Sequence, residues 1–163
     1  MRALGRLSVY PYMALPGMQP AANRVPKRTE FRAAAHDSGR PDTTIGVDLS
    51  DSPNFIRLTV TGEWPTPEQQ RQLRDSLSMS GDLTARTRAL IDLRELTPSG
   101  PGDPVASAKE GLITRVQAYL VATSEQHHFA RQCRIAAGPG RVLEIFIEER
   151  AALEWLWNAD PDY

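Results

Sequence analysis

The chain has 163 residues, of which 40% are hydrophobic and 24% charged. That is the composition of one globular domain with a sizeable core, and no apolar run approaches the roughly 20 residues a membrane helix needs. Its net charge of −1 hides an asymmetry: residues 1 to 42 carry seven Arg/Lys against three Asp/Glu, and the remainder twelve against seventeen. An acidic body has little pull on phosphate backbones, so nucleic acid is not expected as a partner. Cys133 is the only cysteine, which excludes an intramolecular disulfide, a CxxC redox pair and a multi-thiolate zinc site, and suits a reducing, cytoplasmic setting.

Residues 1 to 42 contain Pro11, Pro16, Pro20, Pro26 and Pro41 and show no sustained period, so they read as a disordered Pro/Arg-rich extension. Pro11 and Pro16 also break the apolar core that a signal peptide would need. From Thr43 the pattern changes. Ile45, Val47 and Leu49 alternate as one strand, Asp51-Ser52-Pro53-Asn54 forms a turn, and Ile56, Leu58 and Val60 alternate as a second strand, giving a half-buried antiparallel pair. Thr66, Pro67 and Gln69 read as N-cap, first helical residue and capping-box partner of a helix that runs through Leu73 and Leu77 towards Gly81.

Ala89 to Leu93 is a nearly continuous apolar run, as expected of a parallel strand covered on both faces, with Asp92 interrupting it. Asp103 and Pro104 open a further helix through Val105, Ala108 and Leu112, after which Val116 to Ala122 alternates as a strand. Ser124 is read as the cap of the next helix, which buries Phe129, Cys133 and Ala136 or Ala137 and ends at Gly138-Pro139-Gly140. Val142 to Ile147 forms the last strand. Glu148-Glu149 then places two negative charges at the positive end of a closing helix, with Leu153, Leu156 and Trp157 toward the core and Trp155 partly exposed. Residues 43 to 158 are thus expected to form one α/β domain, followed by a short tail, 159 to 163. Its sheet is a mainly parallel five-stranded one with an antiparallel N-terminal hairpin strand, flanked by about four helices.

Thr61-Gly62-Glu63, Leu90-Ile91-Asp92-Leu93-Arg94 and the stretch from Ile145-Phe146-Ile147-Glu148-Glu149 to Trp155-Leu156 occur in an order and spacing that resemble the SpoIIAA-like proteins. These are relatives of the STAS domains of bacterial anti-sigma-factor antagonists and anion-transporter tails. The resemblance covers about three quarters of the chain and implies a STAS-like fold and a regulatory or protein-interaction role. It also brings in, as an alternative, the binding of a small apolar ligand or lipid. Antagonist STAS domains carry a phosphorylated Ser in an Asp-Ser-Ser-Gly-like phrase after the third strand. Here the matching stretch is Glu95-Leu96-Thr97-Pro98-Ser99-Gly100-Pro101-Gly102-Asp103, and although Ser99 precedes a glycine, the phosphoswitch is not carried over.

In an open parallel sheet, ligands and partners meet the carboxyl ends of the strands, which here are Asp92 to Ser99 and Thr123 to His128. The binding candidates are therefore Asp92, Arg94, Thr97, Ser99, Thr123 and Ser124. Asp92 is read first as a carboxylate that ties down its own loop. No catalytic, metal or cofactor set is expected. His127 and His128 point about 100° apart on a helix, and Ser124, Glu125 and His127 lie too close in sequence for a triad. No serine sits in a GxSxG elbow, and Cys133 falls among apolar helical positions. A small enzyme ranks third among the readings, behind the interaction module and the carrier.

Overall fold

The computed structural model describes residues 28–32, 43–50, 54–84, 86–98 and 114–160. They form a six-stranded sheet with strands in chain order: β1 (Arg28–Arg32), β2 (Thr44–Asp48), β3 (Phe55–Thr61), β4 (Arg88–Asp92), β5 (Val116–Leu120) and β6 (Val142–Phe146). β1, β2 and β3 pair antiparallel, and β3 to β6 pair parallel. Three helices are described: α1 (Pro67–Met79), α2 (Ser124–Ala136) and α3 (Glu149–Asn158). This is the expected mixed α/β sheet with its antiparallel N-terminal element. The helix expected from Asp103 lies outside the described residues, as do Asp51 to Pro53 of the first turn.

β1 corrects the expected boundary, because part of the supposedly disordered extension, Arg28–Arg32, pairs with the outer edge of β2. An edge strand is held by main-chain hydrogen bonds on one side and needs no apolar alternation, so a short polar run such as RTEFR carries no readable period. Residues 1–27 and 33–42 of that extension lie outside the described residues.

Alternation distributes the core between two faces. Ile45, Val47, Ile56, Leu58, Val60, Ala89, Ile91 and Tyr119 point to the side covered by Leu73 and Leu77 of α1 and Phe129, Ala130 and Cys133 of α2. Leu90, Val116, Ala118 and Leu120 point the other way, to Ala152 and Leu156 of α3. β5 is buried at every position, including Gln117, whose side-chain nitrogen donates to the carbonyl of Thr114 at 2.7 Å.

The helix starts follow from local chemistry. Thr66 and Gln69 form the reciprocal capping box that the sequence predicts, with Pro67 in the first turn. α2 departs by one residue: its N-cap is Thr123, not Ser124, because Gln126 stands three residues after Thr123 and returns its side chain to the cap backbone. Gly138 takes a φ of 71° just beyond α2, a conformation glycine adopts without strain.

α3 is rotated from the expected face. Ala152 and Leu156 are buried, Leu153 and Trp155 are half-buried, and Trp157 is 60% exposed. Small Ala152 lets the helix approach Leu90, Ala118 and Leu120 closely, and the contact line continues through Leu156 to Ala159 at helical spacing. Trp155 turns to Phe146, with ring centroids 5.7 Å apart, and Trp157 stands 6.4 Å from Phe55. Both ends of α3 are tied to sheet arginines. Arg57 and Arg94 pair with Glu149 in its first turn, and Arg88 donates from Nε and a terminal nitrogen to the carbonyl of Ala159 at 3.2 and 2.9 Å. Each charge also suits the helix dipole at that end.

Candidate functional site

The carboxyl ends of β3, β4 and β5 open on one rim of the sheet, and main-chain hydrogen bonds join the loops there. Gly62, at φ 83°, donates its N–H to the carbonyl of Glu95 at 3.2 Å and accepts from the N–H of Thr97 at 2.7 Å. The hydroxyl of Thr61 donates to Glu95 Oε2 at 2.9 Å. The segment after β4 is thereby stitched back onto β3.

Gln126 adds the third loop. Its side-chain oxygen accepts from the N–H groups of Ala122 and Thr123 at 2.9 and 3.2 Å, and its nitrogen donates to the carbonyls of Arg94 and Leu96, both at 3.1 Å. The residue is 4% exposed, so this amide fastens the start of α2 to the loop after β4 in a buried setting. Sequence reasoning missed it. The readable signal was the Thr-x-x-Gln spacing from Thr123, which identifies a capping box but not the second pair of acceptors.

Asp92 plays the loop-tying role expected of it. Its Oδ1 accepts from the Arg94 backbone N–H at 3.1 Å and from Arg94 Nε at 2.9 Å, while Oδ2 accepts from a terminal guanidinium nitrogen at 2.6 Å. Arg94 continues to Glu149 Oε2 at 3.3 Å, and Glu149 in turn pairs with Arg57, so carboxylates and guanidiniums alternate from the rim down one face of the sheet. The hydrogen bonds that Arg94 donates to Asp92, against opposing desolvation and with the charges of Asp92 and Glu149 adding, raise the pKa of Arg94 above its ordinary value. Glu149 was read from the sequence only as a charge at the start of the closing helix and Arg57 was not singled out, because the two meet only once α3 is packed on the sheet.

The other candidates divide. Thr97 is exposed and its N–H is used by the rim. Thr123 is exposed with its hydroxyl engaged as the cap, and Ser124 is exposed at the first helical position. Ser99 lies outside the described residues. Asp92 follows Leu90 on the α3 side of the sheet, whereas Ser124 opens the helix that packs on the other side, so these two do not share a cleft.

Cys133 is fully buried, and burial pushes its thiol up to about 12, where little thiolate forms. His127 and His128 are exposed, and His128 Nε2 lies 3.1 Å from the Gln132 amide. No group of three or more His, Cys, Asp or Glu that could hold a metal ion is found among the described residues, and no helix there is long and apolar enough to cross a membrane. Below the rim on the α3 side, a hollow of about 210 Å³ is lined by Asp48, Ser50, Phe55, Arg57, Glu149, Leu153 and Trp157.

The chain is similar to the crystal structure of an uncharacterised protein of the DUF3478 family with a SpoIIAA-like fold from Shewanella loihica PV-4. The two share 18% identity over 83% of this chain and 98% of that one, with a TM-score of 0.46. No protein-family model and no curated protein matches the chain. The site is read from this chain's own residues.

Proposed function

We propose that this chain is a non-catalytic protein-interaction module whose partner meets the rim formed by the loops after β3, β4 and β5. The observation that carries this reading is the four-bonded amide of Gln126, which together with the Gly62, Glu95 and Thr97 bonds makes three loops one preorganised surface. That surface presents Arg94, Glu95, Thr97, Thr123 and Ser124, all exposed, and ordering it in advance lowers the entropic cost of binding. The carrier reading draws less support, since the hollow beneath the rim has about 210 Å³, against roughly 300 to 1,000 Å³ for a drug-sized ligand, and the larger depression beside it, about 540 Å³, is an open surface lined by Glu149, Arg150, Glu154 and a single apolar residue, Leu153.

The test is affinity capture of the tagged full chain from its native cells, in parallel with Thr97→Arg and Ser124→Arg variants whose far-UV spectra and melts match the parent. Proteins held by the parent and lost from both variants are expected. A capture unaffected by either change, or no captured protein at all, would sink the reading. A lipid released from the intact protein in native mass spectrometry would favour the carrier instead.

A further inference from the structure

β6 is the last strand of the sheet, and among the described residues no strand pairs with its outer side. Val142 donates its N–H to the carbonyl of Arg115 at 2.8 Å, and Phe146 accepts from the N–H of Val121 at 2.9 Å. Main-chain polar groups alternate sides along a strand, so those of Leu143 and Ile145 point away from β5. Apart from Glu144 the strand is apolar, it holds no proline or lysine, and Ile147 just beyond it is 74% exposed. Such an edge is a template for a further strand.

One ion pair stands in the way. The side chains of Leu143 and Ile145 belong to the core on the α2 side, and those of Val142 and Phe146 to the core on the α3 side. Glu144 alternates with Val142 and Phe146, and its register partner is Ala118, which also faces α3. Its Oε2 nevertheless lies 3.3 Å from a guanidinium nitrogen of Arg134, on α2 across the sheet, with both side chains half-exposed. β5 fills the inner side of β6, so the two side chains can meet only around the outer edge. The pair therefore lies across the main-chain groups of Leu143 and Ile145, in the space that a neighbouring strand would occupy at roughly 4.8 Å.

We infer that Arg134 and Glu144 form a clasp over the free edge of β6 that keeps this edge from pairing with the β6 of a second copy of the chain. The edge suits its own copy. In an antiparallel pairing centred on Leu143 or on Ile145, the central residue exchanges both main-chain hydrogen bonds with its counterpart across a two-fold axis. In either register Glu144 faces Val142 or Phe146 of the second copy rather than the other Glu144. Because both members are half-exposed, the pair acts by occupying the edge and adds little to the stability of the fold. The inference does not rest on the rim as a partner surface.

Sedimentation velocity of the full chain tests this, with Arg134→Ala and Glu144→Val run beside the parent at equal concentrations. The parent should sediment as a single chain of 18.1 kDa, and both variants should shift to twice that mass on concentration. Exchanging the charges, Arg134→Glu with Glu144→Arg, rebuilds the clasp and should keep the chain single. In the paired variants the amides of Leu143 and Ile145 should exchange about tenfold more slowly than in the parent, since each gains a main-chain partner. Glu144→Gln carries the same expectation should the valine variant fail to fold. The inference is overturned by a parent already paired through β6, by single-site variants that stay single up to their solubility limit, or by a charge-exchanged chain that pairs. Dimers in which those two amides exchange as fast as before overturn it too, because the copies then meet elsewhere.

Discussion

Gln126 shows how much one buried amide can organise. Replacing it with Ala leaves the N–H groups of Ala122 and Thr123 and the carbonyls of Arg94 and Leu96 without this partner, and such losses cost about 1–3 kcal/mol for each buried group that water cannot reach. Gln126→Ala is therefore expected to destabilise the chain by a few kcal/mol in urea titration. Hydrogen exchange should speed up at both rim loops before it does at α1. Exchange confined to one loop would show that the amide does not join them.

Cys133 sets a different expectation. Its folded pKa lies above the ordinary thiol value, so folding favours the neutral form, and that stability is complete below the unfolded pKa and lost as pH rises through about 12. Tyr119, raised well above its ordinary value by burial, adds in the same direction. Stability from these two groups should hold steady up to about pH 7.5, where neither thiol nor phenol has titrated appreciably in the unfolded chain, and fall on going further alkaline. Alkylation of Cys133 should follow unfolding, and rapid labelling of the native protein would contradict its burial.

At the scale of elements, α3 is the clearest case of a face chosen by packing. Leu156→Ala removes a fully buried side chain and should cost about 2–5 kcal/mol, Leu153→Ala distinctly less, and exposed Glu154→Ala under about 0.5 kcal/mol. Urea midpoints of the three variants check that order, and equal losses from Leu153 and Leu156 would mean that the helix is rotated back. Glu149→Gln should cost only about 1 kcal/mol, because its pairs with Arg57 and Arg94 are partly exposed to solvent. Helical period alone placed Leu153, Leu156 and Trp157 together within one turn. It could not choose between that arc and the one through Ala152, Leu156 and Ala159. The small side chain of Ala152 decided it by permitting close approach to Leu90 and Leu120.

For the whole molecule, the edge strand defines where the domain begins. Deleting residues 1–42 removes β1 and turns β2 into an open edge, whereas deleting residues 1–27 keeps every described strand. The longer deletion should therefore melt several degrees below the shorter one, since about 1 kcal/mol moves a melting point by roughly 2–8 °C across domains of this size range. It should also associate more readily on concentration. Equal melting points would show that β1 contributes nothing to the sheet. Alternation in β2, β3 and β5, the nearly continuous apolar run of β4, and the Thr66 capping box are local signals, so the sequence by itself determined the order of these elements and their α/β character. The separation of Asp92 from Ser124 across the sheet, the meeting of Arg57, Arg94 and Glu149, and the exposure of Trp157 were decided only by tertiary structure. Each depends on groups distant along the chain and on which face a helix turns inward, and no local period encodes either.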